Sequence, residues 1–367
     1  MRRVLFWMHL GAGVLAGILI LFFSITGSLL AYQRPIQHAM DKRSYRTAPV
    51  PSSATRMPLE TLIASTESAA HAPVEAVTVH PEAASPIEMQ TANREIFFAD
   101  PYTGSVQGPV SPRSRAFFTQ IIALHRWFGL SNASHSTATT VKGAVMILFL
   151  FLVLSGAVLW IPGRWNRHTI RTGIVPRFDT HGRSRNYNWH KVTGFWLVLP
   201  LALLVITGII MAYPWANALL FRLAGSPVPM RNAARQNSRH HASVVPGHLD
   251  EAIAQAVSGV GGWQSAAFRL GQNPSELNIT VDRGDGGQPQ KREQVFVDAS
   301  TMQVLHRVPF AELSRGQQWR SWVRFIHTGE AGGWWGQTAA MVTALGAIML
   351  SITGFLLFFA RLRRLRG

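Results

Sequence analysis

Apolar residues in this 367-residue chain gather into four long runs, at residues 10–31, 141–161, 192–213 and 338–360. Each run is close to the roughly 20 residues that an α-helix needs to cross the hydrocarbon of a bilayer, so all four are read as transmembrane helices. Two polar stretches of domain size follow the first and third runs. The first, residues 33–119, has a helical pattern at 58–70 with Glu60 early. Alternating apolar positions there predict short strands at 74–80, 87–91 and 95–99, followed by a turn at 100–104. The second, residues 215–320, repeats that course: a helix at 249–257, strands at 264–270, 276–281 and 293–297, and a turn at 298–301. Both read as small α+β modules.

Charge orients the runs. Arg2 and Arg3 precede the first. Arg164, Arg167, Arg171, Arg177, Arg183 and Arg185 lie between the second and third against the lone acid Asp179, and Arg361, Arg363, Arg364 and Arg366 end the chain. Basic residues stay on the cytoplasmic side of bacterial inner-membrane proteins, so both termini are expected inside and both polar modules in the periplasm. The net charge of +17 is therefore read as a topology signal rather than a nucleic-acid footprint; no arginine-aromatic RNA motif accompanies it. The first run is longer than a usual signal-peptide core and no small-x-small site follows it, so a retained anchor is expected. With no cysteine in the chain, disulfides, thiolate zinc sites and iron-sulfur clusters are excluded.

The resulting plan is an integral membrane protein, a four-transmembrane-helix bundle with two periplasmic α+β modules. Its segments are 1–31, helix; 32–119, first module; 120–161, surface segment and helix; 162–189, basic loop; 190–213, helix; 214–324, second module; 325–360, surface segment and helix; and 361–367, tail. The plan is duplicated. At an offset of 181 residues, His9 and Gly13 match His190 and Gly194, Ile25-Thr26-Gly27 matches Ile206-Thr207-Gly208, and Ala31-Tyr32 matches Ala212-Tyr213.

Four histidines sit at the edges of the four runs. His9 and His190 lie where the first and third begin; His125 and His327 shortly precede the second and fourth. Alternating directions place one pair near each membrane face. A single imidazole there serves equally as an interfacial polar group or a metal ligand, but two pairs at two depths point to two bis-histidine haems. Such iron has no open position and suits electron transfer. A helix N-terminus at His9 and His190 would favour the neutral, ligating imidazole. Gly13 and Gly194, four residues on, either leave room for a flat macrocycle or pack helices closely. About 18 residues separate the His9 and Gly27 levels, roughly 27 Å of helix, enough for two haems in tandem. Lys191, Arg2 and Arg3 inside and Arg126, Arg320 and Arg324 outside are partners for propionates or topology signals. His135, nearer the second run, rivals His125 as the outer ligand. His240, His241 and His248 cluster without the spacing of a strong metal site.

The phrases from Ile96 to Gly104 and from Val295 to Thr301 resemble the strand-turn signature of PepSY domains. His125-Arg126-Trp127-Phe128, His190-Lys191-Val192-Thr193-Gly194-Phe195 and the repeated Thr-Gly or Ser-Gly near helix ends resemble the PepSY-associated transmembrane helix family, over nearly the whole chain. Within it the chain is most similar to FoxB-type inner-membrane ferrisiderophore reductases. The resemblance implies two PepSY-like modules and a ferric siderophore reduced in the periplasm to release Fe(II). The expected cofactors are two haem b, and lipid is expected to surround the spans. No flavin or nicotinamide fold is encoded in the short cytoplasmic segments, so a quinol or a separate cytoplasmic reductase is the expected donor. The loop from Gly329 to Trp335, beside His327, is the expected docking surface or else an interfacial turn. Two other readings stay open: a haem subunit serving another periplasmic redox protein, and a haem-free PepSY-type binding or regulatory protein.

Overall fold

The computed structural model describes residues 1–45, 55–229, 247–271 and 275–366. His240 and His241 lie outside the described residues. The first helices are α1 (Arg2–Leu30), α2 (Gln33–Ser44) and α3 (Leu59–Ala70), then strands β1 (Val74–Val79), β2 (Ile87–Thr91), β3 (Ile96–Ala99) and β4 (Val106–Gln107). Helices α4 (Pro112–Trp127), α5 (His135–Trp160), α6 (Arg167–Ile174), α7 (Gly182–Ala212) and α8 (Pro214–Leu223) follow. The chain continues through α9 (Leu249–Val257), β5 (Ser265–Arg269), β6 (Glu276–Asp282), β7 (Arg292–Asp298), β8 (Val304–Pro309), α10 (Arg315–Thr328) and α11 (Gly333–Arg366). Two compact units result.

The helical unit comprises Met1–Gln33, Phe117–Ala224 and Trp319–Gly367. Its helices α1, α5, α7 and α11 are long and apolar enough to cross a membrane. They form a closed ring, in which α1 packs on α5 and α11, and α7 packs on the same two. Large apolar side chains such as Leu15, Leu199 and Phe359 point outward and stay exposed, which suits a bundle solvated by lipid. Small residues bring the helices close: a methyl at Gly17 would lie 2.8 Å from the Phe355 ring, and one at Gly143 would overlap the Tyr213 ring.

Two helix starts differ from the sequence reading. Helix α1 begins at Arg2 and α7 at Gly182, because the polar residues ahead of each apolar run extend the same helix. His9 and His190 are thus in the second and third turns, and the dipole argument for them does not hold, since that field is confined to the first turn. The basic segment between α5 and α7 also holds a helix: Asn166 and Thr169 form a capping box on α6, and Asn188 ties it to α7 by donating to the Thr172 carbonyl and accepting from the Arg177 amide.

The second unit comprises Arg34–Ala116 and Gly225–Gln318. The two polar stretches do not stand as separate modules here; they share one antiparallel sheet of order β4-β3-β2-β1-β5-β6-β7-β8. Each stretch contributes a helix and four meandering strands, and the copies meet where β1 pairs with β5, Val77 opposite Phe268 and Val79 opposite Ala266. Helices α3 and α9 cover one core, in which Leu62, Ile63, Leu249, Ile279 and Val295 are fully buried. The turns at Asp100 and Asp298 match, each carboxylate accepting from the amides two and three residues on.

Candidate functional site

Each of the four edge histidines meets a hydroxyl on a membrane span. His9 Nδ1 lies 2.8 Å from Ser155 Oγ, His190 Nδ1 2.9 Å from Thr353 Oγ1, His125 Nδ1 2.8 Å from Thr26 Oγ1 and His327 Nδ1 3.0 Å from Thr207 Oγ1. Every one of these hydroxyls is followed by glycine, and the ring's Cε1 rests against that glycine. A methyl group there would sit 3.4 Å away at Gly156 and Gly27, 3.3 Å at Gly208 and 3.6 Å at Gly354. The first half of the chain thus holds His9 and His125 with its own hydroxyls. The second half holds His190 and His327 in the same way.

The halves meet at His9 and His190, whose ring centroids are 6.5 Å apart with planes at 88°. Both rings line a cavity of about 990 Å³ together with Gly13, Gly194, Gly156 and Gly354. A methyl at Gly13 or Gly194 would lie 3.8 Å from Leu152 or Leu350, ordinary contact distance, so these two glycines border open space rather than a tight helix crossing. Most of the lining is apolar. At the end of the bundle that carries the chain termini, Arg183, Lys191, Arg361 and Arg364 line the same cavity. Arg361 lies over the Trp7 ring at 4.5 Å, and its buried Nε has no hydrogen-bond partner among the described residues. Arg2 is engaged elsewhere, donating to the Leu159 and Ile161 carbonyls.

At the opposite end, His125 is on α4 and His327 on α10. The His125 ring meets the edge of Phe23 at 5.8 Å. Burial pushes the His125 imidazole down to about 3, with His327, Lys142 and Arg126 adding to the effect. Burial likewise pushes His327 down to about 4, so both rings are neutral at physiological pH. The cations near this pair include Lys142, which donates to the Arg126 carbonyl, and Arg324, close enough to act on Arg126. Burial depresses the Arg320 guanidinium. His135 is placed differently: it starts α5, stacks on Trp127 at 4.2 Å and donates from Nε2 to the Leu130 carbonyl. It meets no membrane-span hydroxyl. His327 is followed at once by the turn at Gly329, beyond which Trp334 and Trp335 stand exposed.

The family model for the PepSY-associated TM region matches residues 6–361. The chain belongs to that family. No curated protein matches it. All four edge histidines and their hydroxyl partners fall within the PepSY-associated match.

Sequence reasoning singled out the histidines, Gly13, Gly194 and Lys191 but gave no role to Ser155, Thr353, Thr26 and Thr207. Their signal was available: a hydroxyl residue followed by glycine occurs in each span, paired at one depth in α1 and α7 and at another in α5 and α11. In the sequence Arg183, Arg361 and Arg364 read as topology signals, and Lys142, at the start of an apolar run, does not stand out.

Proposed function

We propose that this protein is a di-haem inner-membrane reductase that moves electrons from the cytoplasmic side or the quinol pool to a ferric siderophore in the periplasm, releasing Fe(II). The observation that carries the reading is the His9–His190 pair across an apolar cavity. His9 and His190 would each offer an imidazole nitrogen to a metal held between them. The pair stands at 6.5 Å.

The residues around the pair fit haem. An apolar chamber suits the macrocycle, and Gly13 and Gly194 leave its walls free of side chains. Arg183, Lys191 and Arg364, with the unpartnered Nε of Arg361, suit two propionate carboxylates. His9 and His190 would hold one iron, and His125 and His327 a second, nearer the opposite face. Bound haem supplies a one-electron Fe(III)/Fe(II) couple that side chains lack. The chain's own part is to keep the imidazoles neutral, exclude water and hold the ligands rigidly.

At the siderophore, one electron per Fe(III) gives Fe(II), a softer cation that hard oxygen donors hold less well, so the metal leaves. The excess of arginine beside the termini supports the cytoplasmic assignment of that end. Trp334 and Trp335, exposed just after His327, make the turn after that histidine our choice for siderophore docking.

The test is an absorption spectrum of detergent-purified protein before and after dithionite, followed by anaerobic mixing of the reduced protein with a panel of ferric siderophores and an Fe(II) chromophore. We expect two low-spin haem components and Fe(II) release from at least one chelate. A colourless protein from haem-replete cells overturns the redox reading. Haem oxidation unchanged by every chelate would move the acceptor to another periplasmic redox protein.

A further inference from the structure

The four hydroxyls carry an assignment that the histidines alone do not. Each already spends its single proton within its own helix: Ser155 donates to the Phe151 carbonyl at 2.6 Å, Thr353 to Met349 at 2.7 Å, Thr26 to Phe22 at 3.0 Å and Thr207 to Leu203 at 2.7 Å. A hydroxyl that has given its proton away can only accept from a second neighbour. The neighbour's Nδ1 must then be the donor. His327 gives an independent check, because its Nδ1 also lies 3.0 Å from the Leu204 carbonyl, which has no proton to offer. On this accounting of protons Nδ1 is the donor to all four hydroxyls, which leaves the lone pair on Nε2.

We propose that Ser155, Thr353, Thr26 and Thr207 are positioning residues that fix each imidazole in the Nδ1–H form, which would leave Nε2 free to hold an iron and raise its basicity. The proposal rests on the haem reading above and deepens it. A purely structural role accounts for it less well: the hydroxyls are satisfied within their own helices, so it is the imidazoles that need them. Fourfold repetition of hydroxyl, glycine and ring at two depths also exceeds what helix packing requires. A more basic imidazole favours Fe(III) over Fe(II), so each hydroxyl holds its iron at a lower reduction potential.

The experiment compares Thr353→Val, Ser155→Ala, Thr26→Val and Thr207→Val with the parent in full-length, detergent-purified protein. Haem per chain, the spectrum and the midpoint potential of each component are recorded. Thr353→Val and Ser155→Ala are expected to raise the midpoint of one component and weaken its haem binding roughly 10- to 100-fold. The other component should stay unchanged and so report an intact fold. Thr26→Val should do the same to the second component, and Thr353→Ser should restore parental values. Thr207→Val should have the smallest effect, because the Leu204 carbonyl still accepts from His327. Full occupancy with unmoved potentials in all four variants overturns the proposal while leaving the haem reading intact. Loss of both components in the parent itself removes the haem reading and the proposal with it.

Discussion

Both units of this protein are built by bringing two similar halves together, yet they treat the seam in opposite ways. In the sheet unit the seam is closed by strand pairing: β1 and β5 exchange backbone hydrogen bonds, and Val77, Val79, Ala266 and Phe268 along it are almost wholly buried. In the helical unit the seam opens around His9 and His190 into the cavity of about 990 Å³, bordered by glycines from both halves. A sheet cannot leave such a gap, since unpaired backbone groups at a buried edge cost several kcal/mol each in an apolar setting. Helices satisfy their backbones internally, so they can stand apart and leave a ligand-sized space. The ligand-sized space therefore lies at the helical seam, and the sheet seam joins the halves.

The largest effect that breaks this contrast falls on the open seam. His9→Ala or His190→Ala should abolish one haem component of the reduced spectrum and leave the other; removing both together, or neither, would separate the cavity from the cofactor. The closed seam should answer in stability instead. Phe268→Ala is expected to cost about 3–5 kcal/mol, as for other buried aromatics. Hydrogen exchange of the β1 and β5 amides should accelerate to match while the haem spectrum keeps its shape. Unaltered exchange in these strands would show that the seam draws its strength from elsewhere.

A smaller change tests the glycines. Because a methyl at Gly194 meets only Leu350 at 3.8 Å, Gly194→Leu should keep the bundle folded yet fill the cavity and reduce occupancy of the inner component severalfold. Loss of thermal stability in Gly194→Ala would instead mark a tight helix contact. The contrast at Gly143 sharpens this: it lies under the Tyr213 ring, so Gly143→Ala should destabilise by about 1–3 kcal/mol through overpacking with haem content per folded protein unchanged.

Much of this was legible in the chain because the signals were local. Apolar runs, the two-residue alternation around Val77 and Ile279, and paired aspartate turns each declare themselves within a few residues. What escaped depends on partners distant in sequence. Strand β4 has two residues and β8 shows no clean alternation, so neither stood out. Fusion of the polar stretches rests on β1 meeting β5 across about 190 residues, with no turn between them to predict it. At the site, the histidines were visible because imidazole is costly in a membrane. Serine, threonine and glycine are ordinary in such helices, and only folding brings Thr26 to His125 or Thr353 to His190.

The finest test concerns how the two copies in the sheet unit lock together. Helices α3 and α9 start side by side, and each begins with an acid that caps the other: Asp250 accepts from the Leu59 amide at 2.9 Å, and Glu60 accepts from the Leu249 amide at 2.6 Å. An amide at a helix start has no partner of its own, so removing either carboxylate by Glu60→Ala or Asp250→Ala should cost about 1 kcal/mol in urea unfolding. The charges themselves oppose this gain. Burial raises the Asp250 pKa and the neighbouring Glu60 adds to it, against a smaller lowering by the Leu59 amide and Arg56. A carboxyl whose folded value lies above its unfolded value favours folding most when protonated; its contribution is full below the ordinary carboxylate range and fades as pH rises through the raised value. Asp250→Asn keeps an oxygen for the Leu59 amide and carries no charge, so it should match or slightly exceed parental stability at neutral pH and flatten the pH dependence above pH 4. A loss equal to that of Asp250→Ala would show that the carboxylate charge at the helix start outweighs its burial, and that this end of the sealed seam is held by electrostatics.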